Sequence, residues 1–386
     1  MNNNNTKDSV FHKTDLITPS YIYEQEKIFH VLELLAEIKE KTGCFILYSI
    51  KSANVTGLLE IIKPCVDGFS CSSLFEVKLA KEILDDNQTI HITTPGYRND
   101  EMDMILENTD YVTLNSNTQI NIYSEKVNSI ASCGIRINPE ISFVQDERYD
   151  PCHIHSKLGI SLDDITDKRI NIDWQSVEGL HLHNNCESTN FDELKQSVQK
   201  VMTGISTDEM NLKWINLGGG YLLNSKSELT PLTDTIKWLQ DHYAVDVYFE
   251  PGKAITGHAG YLVSNVIDLF TSDGKQVVVL DTAINHLPEV FEYQYQPKVM
   301  NSCDKGDYEY RLAGCSCLSG DLFGDYFFDE PLSIGSRVVF ENIGAYMQVK
   351  ANTFNGINLP ATYLLNNKNE FELIKQHDYD FFRRRL

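Results

Sequence analysis

The 386-residue chain has no long apolar run and far fewer basic than acidic residues, and each shortage excludes a class of protein. No stretch approaches the ~20 apolar residues that a membrane-spanning helix needs, so we expect no membrane partner. Lys and Arg number 33 against 55 Asp and Glu, which gives a formal net charge of −22. A chain without a basic face is not expected to bind a nucleic-acid polymer. The acidity fits either a hydrated surface or a site that attracts cations.

Paired cysteine motifs are also absent. The nine cysteines are scattered along the chain, and none forms a Cys-x-x-Cys pair. The asparagine-rich residues 1–8 lack the apolar core of a secretory signal, and we expect a disordered leader there. Together these features are typical of a reducing cytoplasm rather than of a disulfide-stabilised secreted protein. We therefore expect a cytoplasmic protein with no metal site.

The pattern of apolar residues predicts two domains, since the chain is too long for one ordinary core. Between about residues 24 and 257, helical spacing alternates with about eight short apolar runs, which is typical of parallel strands. This predicts an α/β fold in which residues 24–257 form a closed (β/α)8 barrel. The predicted strands are 45–50, 68–71, 89–93, 111–114, 131–137, 179–183, 214–217 and 245–249, and the clearest helices are 24–42, 54–62 and 75–84.

After residue 257 the pattern changes to strands without long helices between them. This predicts a β domain over residues 258–386, and residues 1–23 are expected to hold the leader and a strand that returns to that domain. The predicted strands of this domain are 18–23, 261–266, 276–280, 308–312, 336–340 and 370–374.

Two strand ends in the first domain carry the earliest chemical signal. Gly218-Gly219-Gly220 follows one predicted strand, and Glu250-Pro251-Gly252 follows the next. Consecutive glycines let backbone N–H groups approach a phosphate, although a triplet is equally consistent with a tight turn. Glu250 lies where barrels place their chemistry and suits a partner for a pyridine nitrogen, with a structural charge at a turn as the alternative.

Two other strand ends supply a lysine and two histidines. Burial of Lys51 would lower its pKa and free its amine to bond an aldehyde cofactor, whereas a surface lysine is the alternative. His181 and His183 alternate along a predicted strand, so we expect both on one face. A histidine there suits stacking on a cofactor ring, and the alternative is a hydrogen-bonded core residue.

The second domain contributes a thiol, a carboxylate and a phenol. Cys317 and Asp321 share one loop, which suits a proton donor and a clamp for a substrate amine. Cys315 and Cys317 lack a second pair of ligands and make a poor metal site. The hydroxyl of Tyr346 is a candidate ligand for a phosphate.

Taken in order, these motifs resemble the fold-type III pyridoxal-phosphate decarboxylases, the family of the ornithine, diaminopimelate and carboxynorspermidine enzymes. The resemblance spans about residues 18–374 and is nearest to the carboxynorspermidine branch at residues 179–187, 317–326 and 353–360. It implies a barrel followed by a C-terminal β-sandwich or β-barrel domain, as in alanine racemase. It also implies the cofactor pyridoxal 5'-phosphate and a homodimer with shared active sites.

The resemblance further implies a role for each candidate residue. Lys51 would hold the cofactor, His183 would lie against its ring and Glu250 would pair with its ring nitrogen. Cys317 from a second subunit would protonate the substrate after CO2 leaves. The residues implied in phosphate or cofactor binding also include Gly218, Gly219, Gly220, Gly252, Lys253 and Tyr346, and those implied in substrate binding are Glu187, Asp281, Glu289 and Asp321.

Position 253 departs from the carboxynorspermidine branch, which usually has a glutamate after Pro-Gly. Lys253 is expected to repel a cationic chain and to attract an anion. The segments 184–185 and 281–289 depart as well, so the resemblance leaves the substrate open.

The sequence therefore predicts a pyridoxal-phosphate decarboxylase of polyamine biosynthesis, acting on the amino-acid end of an extended small molecule such as carboxynorspermidine or carboxyspermidine. One alternative is a 3-amino-3-carboxypropyl group carried on a nucleotide or phosphate, as in maturation of a microcin C-type antibiotic, which Lys253 favours. A racemase fits the Cys317 loop less well. A non-catalytic homologue is a further alternative, and the presence of Lys51, Glu250 and Cys317 argues against it.

Overall fold

The computed structural model describes residues 10–11, 15–207 and 210–386. The chain divides into two compact units, called here the barrel unit (His30–Ile255) and the β unit, which joins the described residues up to Phe29 to Thr256–Leu386. The leader predicted at residues 1–8 lies outside the described residues. None of the helices in the described ranges is long and apolar enough to cross a membrane.

Strands and helices alternate through the first two thirds of the chain, and strands dominate the rest. The strands are β1 (Ser20–Glu24), β2 (Phe45–Ser49), β3 (Gly68–Cys71), β4 (Thr89–Thr93), β5 (Tyr111–Leu114), β6 (Ser132–Asn138), β7 (Ile160–Ser161), β8 (Gly179–Leu182), β9 (Trp214–Asn216), β10 (Asp246–Phe249), β11 (Gly260–Ser272), β12 (Lys275–Leu280), β13 (Tyr308–Ala313), β14 (Leu322–Phe328), β15 (Arg337–Glu341), β16 (Ala361–Leu365) and β17 (Phe371–Lys375). The α-helices are α1 (Gln25–Thr42), α2 (Thr56–Ile62), α3 (Leu74–Ile83), α4 (Met102–Leu106), α5 (Asn117–Asn128), α6 (Leu162–Thr166), α7 (Phe191–Gly204), α8 (Thr230–Tyr243), α9 (Lys253–Thr256), α10 (Pro288–Tyr293), α11 (Met347–Lys350) and α12 (Tyr379–Arg383).

The barrel unit contains a closed ring of eight parallel strands. Strands β2 to β6 pair in sequence, β6 pairs with β8, β8 with β9 and β9 with β10. Pairing of β10 with β2 closes the ring, while β7 pairs only with the end of β6. The predicted (β/α)8 barrel is therefore confirmed. Closure places all eight strand C-termini at one end, which is where barrel enzymes assemble their sites.

A buried tryptophan fills the opposite end of the barrel. Trp214, the first residue of β9, is 2% exposed, and its indole donates to the Ser132 hydroxyl at 2.8 Å. A Cβ at Gly134 of β6 or Gly179 of β8 would lie 2.3 or 1.9 Å from that indole, so both positions need glycine. Tyr111 meets the indole edge-on at 5.5 Å between ring centroids. Since this end is filled with side chains, the carboxyl ends of the strands are left for chemistry.

The β unit is built around one sheet, in the order β14-β13-β12-β11-β1-β16-β17, with β15 also paired to β11. Strand β1 lies in the middle of this sheet, antiparallel to β11 and parallel to β16. The early segment predicted as a strand at residues 18–23 therefore pairs within the sheet of the β unit. The C-terminal part of the chain forms a sheet domain, which confirms the predicted β domain.

Two strands of this sheet are missing from the sequence prediction. Strand β14 contains Gly324, at a φ of 133°, and Asp325, two residue types that are rare in strands. Strand β16 follows Pro360, which the apolar pattern treats as a break. Strand β11 also continues to Ser272, beyond the predicted end at residue 266. The prediction stopped early because the outer half of this strand is exposed and lacks an apolar alternation.

Candidate active site

Lys51 stands in a short hydrogen-bonded turn directly after β2. The hydroxyl of Ser52 donates to the Ser49 carbonyl at 2.9 Å, and the Tyr48 hydroxyl donates to the Ala53 carbonyl at 2.9 Å. Burial lowers the pKa of Lys51 below its ordinary value, although the nearby Glu250 carboxylate acts in the opposite direction. The turn therefore presents a partly buried amine whose neutral, nucleophilic form is favoured.

Glu250, at the end of β10, is a buried carboxylate held by side chains of neighbouring strands. It is 4% exposed, and its Oε1 accepts a hydrogen bond from Asn216 Nδ2 at 2.8 Å. Its Oε2 lies 3.5 Å from Nε2 of His181. Burial alone would raise the pKa of Glu250, but His181, Lys51 and the Asn216 amide together hold it below its ordinary value. Glu250 is consequently an anion inside the barrel, suited to keeping a ring nitrogen protonated.

The two histidines after Gly179 differ in setting. His181 lies within β8 and is 1% exposed, whereas β8 ends at Leu182 and His183 lies just past it. Strand alternation by itself therefore does not fix the direction of His183, and the expectation that both histidines share one face stays a prediction. Nδ1 of His183 accepts a hydrogen bond from the Gly219 N–H at 3.1 Å, so the ring proton belongs on Nε2. Burial lowers the pKa of both imidazoles, which favours their neutral forms.

The glycine triplet is required by close packing between strand ends. A Cβ at Gly219 would lie 2.3 Å from the Glu250 carbonyl, and one at Gly220 would lie 2.0 Å from the Asn185 carbonyl. Gly218 and Gly220 also adopt positive φ angles of 64° and 90°, which other residues rarely tolerate. The loop can therefore sit against both neighbouring strand ends only with this composition.

Two of the three N–H groups in the triplet bond to side chains of the site. Gly218 donates to Asn216 Oδ1 at 2.8 Å, and Gly219 donates to His183. Within the described ranges, the structure gives the N–H of Gly220 no such partner. The role of the triplet in phosphate binding stays a prediction, and it now centres on Gly220.

Gly252 joins the Glu250 turn to the Lys51 turn. A Cβ at Gly252 would lie 3.1 Å from the side chains of both Ser49 and Ser52, and the Ser49 N–H donates to the Pro251 carbonyl at 3.2 Å. The lysine and the carboxylate are therefore presented by two turns that pack on each other.

Two charged residues of this site were missed by sequence reasoning. Arg136 lies within β6, is 8% exposed, and has its pKa lowered to about 10 by burial. Glu76, in the first turn of α3, accepts the Ser72 N–H at 2.6 Å, and burial raises its pKa. Both groups interact electrostatically with Lys51. An arginine inside an otherwise apolar strand was the signal that could have revealed Arg136.

Lys253 and Glu187, which the sequence assigned to different tasks, form an ion pair in the barrel unit. Glu187 adopts a positive φ of 57° directly after the Asn185-Cys186 segment. The positive charge of Lys253 is thus compensated by a neighbouring carboxylate. The expectation that Lys253 presents a net attraction for an anion loses its basis.

The β unit positions the remaining candidate residues. Cys317 is exposed, and its backbone N–H donates to the Asn355 side chain at 2.8 Å, which ties two sequence motifs together. Asp321 is 3% exposed and accepts the N–H groups of Ile284 at 2.6 Å and Ser316 at 2.8 Å. Asp321 therefore organises the loop that carries Cys317, and its amine-binding role stays a prediction.

Two further carboxylates of the β unit are also held internally. Asp281 accepts from the hydroxyls of Thr18 at 2.7 Å and Ser264 at 2.5 Å, which gives it a structural role. Glu289 is buried, 3.1 Å from the Lys350 ammonium. Tyr346 begins α11 with a positive φ of 63°. Substrate binding by these carboxylates and phosphate binding by Tyr346 remain predictions.

The barrel residues suit an aldehyde cofactor that carries a basic ring nitrogen. Lys51 offers an amine, Glu250 an anion and His183 a neutral imidazole, and two of these groups belong to turns in direct contact. His181, although buried, has no hydrogen-bond partner for either ring nitrogen in the described part of the chain. That part also contains no cluster of His, Cys, Asp or Glu that could hold a metal ion.

A closed barrel with this lysine, histidine and carboxylate set defines a barrel suited to an aldehyde cofactor, and comparison with known proteins agrees. The model of the pyridoxal-binding domain of pyridoxal-dependent decarboxylases matches residues 29–257. The chain belongs to this family, and it is a decarboxylase that uses pyridoxal 5'-phosphate.

Three similar proteins bear on its place within the family. A carboxynorspermidine/carboxyspermidine decarboxylase of Campylobacter jejuni is 35% identical, over 94% of this chain and 96% of the relative. A carboxyaminopropylagmatine decarboxylase of Synechocystis is 31% identical, over 97% and 96%. The crystal structure of the Campylobacter jejuni carboxynorspermidine decarboxylase complexed with norspermidine matches with a TM-score of 0.87 and 32% identity, over 96% of this chain and all of that one.

Proposed function

We propose that this enzyme removes the carboxylate of carboxynorspermidine or of a closely related carboxylated polyamine in polyamine biosynthesis. The observation that carries the proposal is the near full-length likeness to relatives whose substrates, by name, are polyamines bearing one extra carboxylate. The net charge of −22 supports it, because an acidic protein attracts a polycation. The alternative substrate on a nucleotide or phosphate depended on an uncompensated charge at Lys253, which pairs with Glu187, so it is not proposed.

The barrel domain, residues 24–257, holds the cofactor. Lys51 provides the attachment point, since burial favours its nucleophilic form. His183 would hold the ring as a neutral imidazole with its proton on Nε2, and Glu250 would accept a hydrogen bond from the protonated ring nitrogen. Pyridoxal 5'-phosphate, when bound, supplies a sink for the electron pair left on Cα as CO2 departs. The buried, anionic state of Glu250 is what maintains that capacity.

Phosphate binding falls to backbone and side-chain donors at the ends of the strands. The N–H of Gly220 is the group of the glycine triplet that remains for this task. The turn at Gly252 borders the same strand ends, and Lys253 and the hydroxyl of Tyr346 are also proposed for this role. Position 220 requires glycine because the Asn185 carbonyl approaches it too closely for a side chain.

The β domain, residues 258–386, delivers the proton donor and three of the four carboxylates proposed to bind the substrate. The thiol of Cys317 from a second copy of the chain donates its proton to Cα after CO2 leaves, so the active enzyme is a homodimer with shared sites. The exposure of Cys317 supports this role. The hydrogen bonds of Asp321 to the backbone N–H groups of Ile284 and Ser316 hold the loop that carries Cys317. Glu187, Asp281, Glu289 and Asp321 are the carboxylates proposed to receive substrate amines. The nine cysteines are thiols rather than disulfides, in keeping with a cytoplasmic enzyme.

The test is CO2 release and product identification with three substrates: carboxynorspermidine, carboxyspermidine and carboxyaminopropylagmatine. The cofactor-loaded protein should release CO2 and form the matching polyamine from at least one of them, while Lys51→Ala should form none. Turnover of meso-diaminopimelate or ornithine in preference to all three would overturn the proposed substrate class. Binding of the cofactor without turnover of any amino acid would overturn the decarboxylase role.

A further inference from the structure

Each carboxylate oxygen of Glu250 lies close to the side chain of a residue to which no role is assigned. We propose that Asn216 and His181 are positioning residues that fix the direction and the anionic state of Glu250 toward the cofactor's ring nitrogen. This inference rests on the proposed function of Glu250, and it concerns the holoenzyme.

The amide of Asn216 has one allowed orientation. Asn216 is 1% exposed; its Oδ1 accepts from the Gly218 N–H at 2.8 Å, and its Nδ2 donates to Glu250 Oε1 at 2.8 Å. A flipped amide would set NH2 against N–H and oxygen against carboxylate, so both contacts would become repulsive. The amide therefore transmits the position of the glycine loop to the Glu250 carboxylate.

A backbone contact closes this arrangement into a ring. The N–H of Glu250 donates to the Gly218 carbonyl at 2.7 Å, while Gly218 itself donates to Asn216. Glu250 is consequently tied to the glycine loop at both its main chain and its side chain. A displacement of either strand end would break two hydrogen bonds at once, which makes the side-chain direction of Glu250 well determined.

His181 covers the second oxygen of the same carboxylate. Its Nε2 lies 3.5 Å from Glu250 Oε2, slightly beyond a good hydrogen bond, and neither ring nitrogen has a hydrogen-bond partner among the described residues. A fully buried imidazole without partners is unfavourable for folding, so its presence beside a carboxylate calls for a functional reason. A shift of a few tenths of an ångström would turn this contact into an N–H to carboxylate bond.

Other ionisable side chains face Glu250 from the surrounding strands. These neighbours are Lys51 after β2, Cys71 at the end of β3, His91 on β4, Arg136 on β6 and His183 after β8. Of these, the Arg136 guanidinium and the Lys51 amine in its protonated form attract the carboxylate at longer range, and only Asn216 and His181 approach its oxygens closely in the described structure. The two residues are therefore the ones expected to set its geometry.

Asn216→Asp offers a nearly isosteric test, because it keeps an oxygen for the Gly218 N–H and removes the donor to Glu250. It should change the ratio and the pH midpoint of the absorbance bands of the lysine-bound cofactor and reduce kcat about 10- to 100-fold. Asn216→Leu should act in the same direction. His181→Leu should shift the bands, and His181→Gln, which retains a donor, should restore them in large part.

Asn115 provides a matched control from the same barrel. It follows β5, is 6% exposed, and likewise bridges two backbone groups, the Lys157 carbonyl and the Gly159 N–H, each at 2.8 Å. Asn115→Leu should lower thermal stability without altering the cofactor bands. If Asn216→Asp and His181→Leu alter the bands no more than Asn115→Leu does, the proposal is wrong. The bands are read without substrate, so failure of the proposed decarboxylation would be seen separately, as a wild-type holoenzyme that binds cofactor and turns nothing over.

Discussion

The barrel unit and the β unit hold their candidate carboxylates in different ways. In the barrel unit, Glu250 is buried at a strand end and meets the side chains of Asn216 and His181, which belong to neighbouring strands. In the β unit, Asp321 lies in a loop and accepts backbone N–H groups from Ile284 and Ser316. In the barrel unit, the strand register places the side chains that determine the charge and direction of Glu250. In the β unit, the loop conformation places the backbone N–H groups that orient Asp321.

In this comparison of the two units, the largest loss of activity is expected from a substitution in the barrel unit. Lys51→Ala should abolish decarboxylation and remove the absorbance of the lysine-bound cofactor, because no other residue of the Lys51 turn supplies an amine. The far-ultraviolet circular dichroism spectrum is the control and should match the wild type. Retained lysine-bound absorbance in the variant would show that a different lysine holds the cofactor.

A smaller effect is expected for the thiol of the β unit. Cys317→Ala should reduce kcat by about 10² or more, the usual contribution of a positioned proton donor, and leave cofactor binding intact. Cys315→Ala, two residues away and partly buried, is the matched control and should remain active.

Mixing the two inactive variants tests whether a second copy supplies Cys317. Hybrid dimers of Lys51→Ala and Cys317→Ala would contain one intact site each, and about a quarter of the wild-type activity should return on random exchange. No recovery from mixtures that demonstrably exchange subunits would place the thiol and the lysine of one site on the same chain.

The ion pair between Lys253 and Glu187 is expected to tune substrate affinity rather than chemistry. Glu187→Gln should raise KM for carboxynorspermidine a few-fold with little change in kcat, because exposed ion pairs contribute only ~0–1 kcal/mol. Lys253→Met should lower KM by a similar factor, since Glu187 would then face the substrate cation alone. Equal changes in kcat would show that the pair acts on the cofactor instead.

The last expected effect concerns the dependence of stability on pH rather than catalysis. Burial lowers the pKa of His91, in the barrel unit, to about 3 and that of His286, in the β unit, to about 4. Because both folded-state values lie below the ordinary value of about 6.5, their protonation favours the unfolded chain, and stability should fall as pH drops below about 6.5. Each group should contribute up to ~1.4 kcal/mol per pH unit between those limits. Urea unfolding at pH 7 and pH 5 would measure this, and His91→Gln should flatten the dependence more than the substitution of exposed His30.

The sequence was informative where function sits at strand ends and less so elsewhere. Lys51, His183 and Glu250 could be selected because each follows a recognisable apolar run. Arg136 was missed because it lies within a strand, where apolar patterning assigns it to no role. The pairing of Lys253 with Glu187 could not be predicted, since the partners lie 66 residues apart and meet only after barrel closure.

The same limit applies to hydrogen bonds and to the β unit. The glycine triplet suggested three N–H groups for a phosphate, yet two of them bond to Asn216 and His183, an allocation that depends on three-dimensional packing. Strands β14 and β16 were missed because Gly324 and Pro360 interrupt the patterns on which strand prediction depends. Long-range pairing, rather than local preference, stabilises them in the sheet.

The most direct test of the proposed function is the ratio of kcat/KM for carboxynorspermidine to that for meso-diaminopimelate, measured on the cofactor-loaded enzyme at one pH and salt concentration. The structure and its relatives predict a ratio well above one, with norspermidine as the product. A ratio below one, with lysine formed from diaminopimelate, would contradict the assignment to carboxylated polyamines while leaving the decarboxylase fold and its cofactor in place.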